Sequence, residues 1–374
     1  MTARPTFTIG VEEEYGIVDP ASRALCGRAG QVMPLAQEDL GDKVQPELKL
    51  SQIETMTAPC ATLAAARSEI VRMRRAVIAA AQRDGRRIVA VGTHPFSPPD
   101  AQSVTPKDRY RGIMHEFQEL GREMVIFGCH VHIGLDDQEL RVQVMNRMRV
   151  WLAPLLALAA NSPFWLGRDT GYASYRTELW GRWPLSGPPG LFASRAEYDA
   201  LANALVATGS IADATKIYWD IRLPEKVPTV EVRVADVCLS VDEAVMVAGL
   251  ARGLVRTCYE QALREESFPL ARPELLRVAH WRAARHGLNA ELIDVGATQA
   301  RPAREVVEAL LQFVRPALEA EGEWDEVTEL VHQTLARGNG ATRQRAAYRR
   351  TGRLEDVVDL IVAETAAGTG LSVA

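Results

Sequence analysis

Several segments of this chain are extended in pattern, and most alternate apolar with polar residues, as β-strands that bury only one face do. This alternation favours an antiparallel sheet, because the strands of a doubly wound parallel sheet are buried on both faces and read as continuous apolar runs. The polar face should therefore line a cavity or cleft. The extended segments are residues 6–14, 44–57, 87–91, 124–135, 217–223 and 229–237.

Helical patterns occupy much of the remaining chain. Apolar residues recur at helical spacing over residues 62–84 and 138–160, and capping-box sequences at Ser194 and Ser240 should begin further helices. From about residue 240 the pattern is helical almost to the end. We predict an α+β fold, an antiparallel sheet with helices on its apolar side. A strand-rich core over about 1–240 and a mainly helical part over about 241–374 should pack as a single domain, 1–374.

Composition excludes several classes of protein. The 43 basic and 48 acidic side chains leave a net charge of -5, so we expect no nucleic-acid partner and no binding to an anionic membrane. The longest apolar run, residues 150–160, is short for a membrane span and contains a proline. Five cysteines without a CxxC pair argue against a disulfide framework or a structural zinc site. We expect a soluble, cytoplasmic protein.

Two glutamates share one face of the first strand. Glu12 and Glu14 should lie about 7 Å apart at a rise of ~3.4 Å per residue. Repulsion between two carboxylates at this distance is roughly 2 kcal/mol at an effective dielectric constant of about 20, so a cation should offset it. An isolated pair could also be an exposed acidic strand end beside arginines, and the other strands decide between the two interpretations.

Further ionisable side chains fall on the polar phases of the other strands. Carboxylates from three segments, joined by a histidine on one face, are hard to explain as ordinary surface. An oxygen-rich set without cysteine suits Mg²⁺ or Mn²⁺ better than structural zinc. The residues are Glu47, Glu54, His130, His132, Glu231 and Arg233.

Five motifs occur in an order and spacing that resemble a known family. The sequence is similar to the type 2 glutamate-cysteine ligases, the ATP-dependent carboxylate-amine ligase family. The similarity covers essentially the whole chain, since it continues through WRAARHG at 281–287 and GNGATRQR at 338–345. The motifs are GVEEEY at 10–15, GCHVHIG at 128–134, NSPFWLG at 161–167, YRTELW at 175–180 and VEVR at 230–233.

The resemblance implies a fold of the glutamine synthetase and guanido kinase type, in which an antiparallel sheet curves around a metal and nucleotide site. In the wider ligase group, Mg²⁺ or Mn²⁺ ions that bridge the phosphates of ATP are held by acidic residues and a histidine of the sheet. The resemblance also implies a single catalytic domain and a homodimer. The matching metal-binding positions here are Glu12, Glu14, Glu47, Glu54, His132 and Glu231.

The implied reaction transfers the γ-phosphoryl group of ATP to a carboxylate, expected to be the γ-carboxylate of glutamate. An amine, expected to be that of cysteine, then attacks the acyl phosphate. Such chemistry requires charge neutralisation and positioning more than a protein nucleophile. Arginine can hold phosphate or carboxylate by paired hydrogen bonds, although each arginine could instead form a salt bridge. The candidates are Arg176 and Arg233 as catalytic residues, with Arg182, Tyr175, Arg282, Arg285, Arg343 and Arg345 as contacts to ATP or substrate.

Two other functions are compatible with parts of the sequence. His130-Val-His132 has the spacing of metal ligands in amidohydrolases, but His280, His286 and His332 lie in helical patterns and a late strand offers Glu231 instead. A non-catalytic binding protein would scatter its polar residues over the surface, and ATP with Mg²⁺ would not stabilise it. Other carboxylates and amines could also replace glutamate and cysteine.

Overall fold

A computed structural model describes residues 5–372. Its strands are β1 Ile9–Val18, β2 Val44–Pro46, β3 Gln52–Met56, β4 Arg87–Val89, β5 Gly128–Gly134, β6 Phe164–Trp165, β7 Arg168–Asp169, β8 Ser186–Gly187, β9 Tyr218–Trp219, β10 Ile221–Arg222, β11 Thr229–Asp236, β12 Glu291–Asp294 and β13 Gln299–Pro302. Its α-helices are α1 Ala29–Leu40, α2 Leu63–Arg83, α3 Asp108–Phe117, α4 Glu119–Arg122, α5 Gln138–Met148, α6 Leu152–Ala159, α7 Tyr175–Trp180, α8 Arg195–Ala207, α9 Val241–Leu263, α10 Pro273–His286, α11 Ala303–Glu321, α12 Trp324–Arg337, α13 Gly340–Thr351 and α14 Leu354–Ala366.

The main sheet has seven strands, in the order β10-β11-β5-β1-β3-β2, and β4 also pairs with β1. Each pairing within it is antiparallel, so the predicted α+β fold with an antiparallel sheet is confirmed. The apolar phases of β1, β5 and β11 pack on helices α5, α6 and α9 in one large core. A second core joins the end of β1 and β4 to α1, α2 and α14. Both cores therefore combine early and late parts of the chain.

Several predicted elements are confirmed at close to their predicted bounds. Helix α2 is capped by Thr62, whose side chain accepts a hydrogen bond from the backbone N–H of Ala65. Helix α9 starts with a complete capping box between Ser240 and Glu243. Cys129 and Cys238 lie on the apolar phase and are buried. Among residues 5–372 no helix is long and apolar enough to cross a bilayer.

Other expectations need correction. The segment 138–160 is two helices separated by the 3₁₀ turn Arg149–Trp151, since Pro154 has no N–H for a continuous helix. Strand β5 begins only at Gly128, and the strand expected over 217–223 is interrupted at Asp220. The part after residue 240 is not wholly helical, because β12 and β13 form a hairpin. Four residues per strand are too few for a period-2 pattern to stand out.

The face of β1 opposite the predicted site is stabilised by a buried ion pair. Arg74 of α2 donates to both carboxylate oxygens of Glu13, and also to the backbone oxygens of Leu239 and Cys238. The hydroxyl of Tyr15 donates to Glu13 Oε2 at 2.6 Å. Because both charges are almost wholly buried, each depends on the other for compensation.

We expect Arg74→Met to lower the free energy of unfolding by about 3–5 kcal/mol, because it leaves the Glu13 carboxylate buried without its cation. Urea unfolding followed by circular dichroism measures this change. The matched control is Arg72→Met on the same helix, whose pair with Glu69 is partly exposed and should contribute less than about 1 kcal/mol. Equal effects of the two substitutions would contradict the assigned role of Arg74.

Candidate active site

Strand register brings the predicted carboxylates and histidines into one row across the sheet. Glu14 pairs with Glu54 between β1 and β3, and Glu12 pairs with His130 between β1 and β5. His132 in turn pairs with Glu231 between β5 and β11. Alternation alone places these side chains on one face. Glu47, which follows β2, joins the row from the side.

Three overlapping groups in this row have the composition of divalent-cation sites. In each group, one ligand atom from each of three residues lies within 4.8 Å of the others. Carboxylate oxygens with an imidazole nitrogen match the ligand preferences of Mg²⁺ and Mn²⁺. The groups are Glu14, Glu47 and Glu54; Glu12, Glu54 and His130; and Glu12, His132 and Glu231. All six predicted metal-binding residues are included, and His130 is an addition.

The first group carries charge that the protein does not neutralise. Burial, with the nearby carboxylate of Glu47, raises the pKa of Glu14 to about 7. Burial also raises the pKa of Glu47, and it raises that of Glu54 well above the usual range, where repulsion from Glu47, Glu12 and Glu14 adds to it. Such shifts are expected where several carboxylates share a poorly solvated site, and a nearby cation would oppose them by favouring the ionised carboxylates.

The two histidines are oriented by neighbouring oxygens. His132 Nδ1 lies 3.0 Å from Thr229 Oγ1, and its buried Nε2 lies 3.2 Å from Glu12 Oε1, a member of the same ligand group. If Nδ1 donates to the hydroxyl, Nε2 keeps a free lone pair, as a metal ligand requires. His130 Nδ1 lies 3.1 Å from Glu12 Oε2. Burial, reinforced by the charge of Arg233, lowers the pKa of His130 to about 4.

Arg233 reaches the row at a β-bulge. Val232 pairs with Val131 and Ala235 with Cys129, so β11 has one extra residue between these pairs. Bulges of this kind bend a strand and redirect its side chains. Arg233 Nη1 contacts Glu231 and lies 3.5 Å from His130 Nδ1. Its Nε is buried and has no acceptor within residues 5–372.

Glu231 has a second arginine partner that the sequence analysis missed. Arg222 is the cross-strand neighbour of Glu231 and donates from Nε to Oε2 at 2.6 Å and from Nη2 to Oε1 at 3.2 Å. Burial alone would raise the pKa of Glu231. The positive charges of Arg233 and Arg222 outweigh this effect and lower the pKa to about 2. Arg222 lies on the polar phase of the segment 217–223, and this position could have predicted that its side chain shares a face with Glu231.

Arg176, the other predicted catalytic arginine, lies at the start of α7 and faces a cavity that Arg233 also lines. Its Nη1 is 3.8 Å from Asp236 Oδ1, and its Nε has no acceptor in the described part of the chain. Asp236 is fully buried and also accepts hydrogen bonds from the hydroxyls of Ser162 and Ser174 at 2.7 Å. The contacts of Arg176 are therefore made by its terminal nitrogens, Nη1 with Asp236 and Nη2 with the backbone oxygen of Arg233, while Nε keeps an unused donor.

A cavity of about 380 Å³ lies over the part of the row formed by Glu12, Glu14, Glu47, Glu54 and His130, and we call it the carboxylate cavity. His132 and Glu231 line a different cavity, of about 190 Å³. The wall of the carboxylate cavity includes Arg109 and Lys107, two cations that the sequence analysis did not select. Lys107 directly precedes α3 and Arg109 lies in its first turn, and neither falls on one of the strand patterns that the sequence shows. Tyr218, Trp180 and Trp183 form an aromatic part of the wall.

The structure places two predicted contact residues outside this wall. Arg182 is partly exposed and pairs with Glu123. Tyr175 packs on Trp165 and Tyr172. Their contact with ATP or substrate stays a prediction, and their placement favours a role in shaping the segment around α7.

Four predicted arginines from the later helices also lie away from the carboxylate row. Arg285 donates to the backbone oxygen of Gly171, and Arg345 binds Asp169 and the backbone oxygen of Tyr172. Arg343 pairs with Glu243 and Glu364, and Arg282 with Glu291. Because each guanidinium already has partners within the chain, the structure favours positioning roles over direct contact with ATP. Arg285 and Arg345 hold the segment that leads into α7.

Comparison with known proteins identifies the family. A family profile described as glutamate-cysteine ligase family 2 matches residues 8–360. The chain belongs to glutamate-cysteine ligase family 2. A family 2 relative from Frankia alni, described as a glutamate-cysteine ligase 2-2, is 44% identical over 98% of both chains. Another, from Rhodopirellula baltica and described as a glutamate-cysteine ligase 2, is 43% identical over 96% of both.

Solved structures show that the family 2 chain shares its fold with more distant proteins. The glutamate-cysteine ligase of Francisella tularensis, solved in complex with AMP, matches with a TM-score of 0.71 at 12% identity, over 97% of this chain and 90% of that one. A bifunctional glutathione synthetase from Pasteurella multocida matches with a TM-score of 0.70 at 17% identity. The match covers 96% of this chain but only 52% of the Pasteurella protein.

The un-neutralised carboxylates predict a pH effect on the metal-free protein. A carboxyl whose pKa is raised on folding binds more protons in the folded than in the unfolded state, so stability falls as pH rises between the two pKa values. For Glu14 this window runs from about 4.5 to about 7. We expect thermal unfolding in a chelator to show this loss, and Mg²⁺ to reverse it at pH 7–8.

Glu54→Gln tests the same property at a single position. At a pH high enough to ionise Glu54, removing its charge should raise the stability of the metal-free protein, because unit charges within 4.8 Å of each other repel by roughly 3 kcal/mol at a dielectric constant of about 20. It should also weaken the stabilisation by Mg²⁺. Glu38→Gln, which removes an exposed carboxylate paired with Arg83, is the control. A less stable metal-free Glu54→Gln protein would contradict the assigned repulsion.

Proposed function

We propose that this protein is an ATP-dependent carboxylate-amine ligase that activates the γ-carboxylate of glutamate as an acyl phosphate and joins it to the amino group of cysteine. The observation that carries the proposal is the row of overlapping oxygen-rich ligand groups beside buried arginines with unused donors. Phosphoryl transfer requires this combination, because charge neutralisation and positioning provide most of its catalysis. Family membership and the names of the relatives support the same reaction.

The residues of the row fit Mg²⁺ or Mn²⁺. Glu12, Glu14, Glu47, Glu54, His132 and Glu231 would hold the ions, with His130 as a further ligand. When bound, such ions neutralise the phosphate oxygens of ATP and orient the γ-phosphoryl group. Glu12 belongs to two of the three groups, and so does Glu54, so a substitution at either position would disturb more than one cation.

The arginines would bind the oxygens that gain charge during transfer. Arg233 and Arg176 both line the carboxylate cavity, and each keeps a buried Nε–H without an acceptor among residues 5–372. Leaving such donors unpaired costs about 1–3 kcal/mol each, a cost that a phosphoryl or carboxylate oxygen would remove. Arg222 holds Glu231 in place, and Arg109 with Lys107 gives the cavity wall further positive charge.

The direct test is release of ADP and phosphate by the purified protein with ATP and Mg²⁺, screened over amino acids singly and in pairs. We expect full turnover to require glutamate and cysteine together, with the dipeptide identified by mass spectrometry. Turnover with another pair would retain the chemistry and replace the substrates. Absence of turnover with every pair, and of any ATP-dependent thermal shift, would favour a non-catalytic binding protein.

Arg233→Lys tests the proposed role of the guanidinium. Lysine keeps the charge but cannot reproduce two parallel hydrogen bonds, so we expect kcat to fall by about 100-fold or more, as for loss of one transition-state donor. Steady-state kinetics with the identified substrates measures the effect. Arg83→Lys, on an exposed pair with Glu38, should remain close to wild type, and a similar rate for Arg233→Lys would make Arg233 structural.

A further inference from the structure

A second cavity adjoins the carboxylate cavity. It has a volume of about 810 Å³ and lies between α7, α10 and the segment 181–188. Trp180 and Trp183 line both cavities, so the two spaces share a wall. The proposed binding of ATP and glutamate at the carboxylate row leaves this second cavity without an assigned role.

A buried histidine of the second cavity has a free nitrogen. His280 of α10 is 4% exposed, and its Nδ1 lies 2.9 Å from Asp220 Oδ2. Its Nε2 is buried and has no hydrogen-bond partner in the described part of the chain. A carboxylate at Nδ1 favours the tautomer whose Nε2 lone pair is free to accept a proton.

This histidine pair lies close to the catalytic face. Asp220 interrupts the strand between Tyr218 and Arg222, both of which line the carboxylate cavity, whereas Asp220 lines the second cavity. The backbone oxygen of Asp220 accepts a hydrogen bond from the backbone N–H of Arg233 at 2.8 Å. One short stretch of chain thus presents side chains to both cavities.

The walls of the second cavity suit a small zwitterion. Trp183 is buried, and its indole N–H has no acceptor among residues 5–372, so the cavity region offers an unmet donor as well as the unmet acceptor of His280. An amino acid supplies a carboxylate for the donor and an ammonium group for the acceptor. The charged residues of the cavity are of both signs, namely Glu178, Arg182, Asp220, Glu274 and Arg277.

We propose that the second cavity receives the amine substrate as an amino acid, and that His280 accepts the proton which its ammonium group must lose. This inference rests on the proposed ligase function. The ammonium group gives one proton to His280 Nε2, and the freed amine attacks the carbonyl carbon of the acyl phosphate. The C–N bond forms, the C–O bond to phosphate breaks, and the second proton leaves with the phosphate as hydrogen phosphate.

Hydroxylamine separates the two halves of this reaction. It is small, largely unprotonated at neutral pH, and traps an acyl phosphate as a hydroxamate without needing an amino-acid pocket or a base. With ATP, Mg²⁺ and glutamate, His280→Gln should therefore keep hydroxamate formation near the wild-type rate. Its kcat/KM for cysteine should fall by about 100-fold, the usual contribution of a general base, and should recover partly as pH rises because solvent then deprotonates the amine.

Matched variants make the result specific. Asp220→Asn should show the same selective loss, since it removes the carboxylate that orients His280. His332→Gln changes another histidine paired with a carboxylate, Glu308, on an exposed surface and should alter neither assay. Equal losses in both assays, or unchanged kinetics with cysteine, would overturn the inference alone. Absence of hydroxamate from the wild-type protein would overturn the proposed function and the inference with it.

Discussion

Repulsion between carboxylates on a poorly solvated sheet face is the constraint on which the rest of the site depends. The row is neutralised at one end only. Two arginines lower the pKa of Glu231 to about 2, whereas the pKa of Glu14 rises to about 7. Compensation of negative charge by the chain's own cations is therefore uneven along the row, and it is weaker at the end near β3 than at Glu231.

Glutamates on the two faces of β1 have different surroundings. Glu13 is paired with Arg74 and two backbone carbonyls support the guanidinium, so this carboxylate stabilises the fold. Its neighbours Glu12 and Glu14 face other carboxylates and histidines. Stability is thus supplied on one face of the strand, while the other face holds buried carboxylates close to one another.

Period-2 alternation was sufficient to predict the antiparallel sheet and the common face of Glu12, Glu14, His132 and Glu231, because register in a half-buried sheet follows from which phase is apolar. It could not predict the bulge before Ala235, nor the break at Asp220, since neither leaves a residue-type signature. The arginines of the later helices were selected from motifs alone. The position of an arginine in a motif does not show whether its guanidinium forms an ion pair within the chain, as those of Arg343 and Arg345 do.

The bulge in β11 has a consequence for how this fold can vary. Val234 and Ala235 both belong to the core, so the extra residue shifts the strand by one phase, and Asp236 returns to the side of Arg176. A regular strand could present Glu231 and Arg233 on one side but would turn Asp236 away. Point changes in the core phase can be absorbed by repacking, whereas deleting a single residue here would turn Asp236 away from Arg176. The number of residues between Glu231 and Asp236 therefore constrains β11 more than the identity of its core residues does.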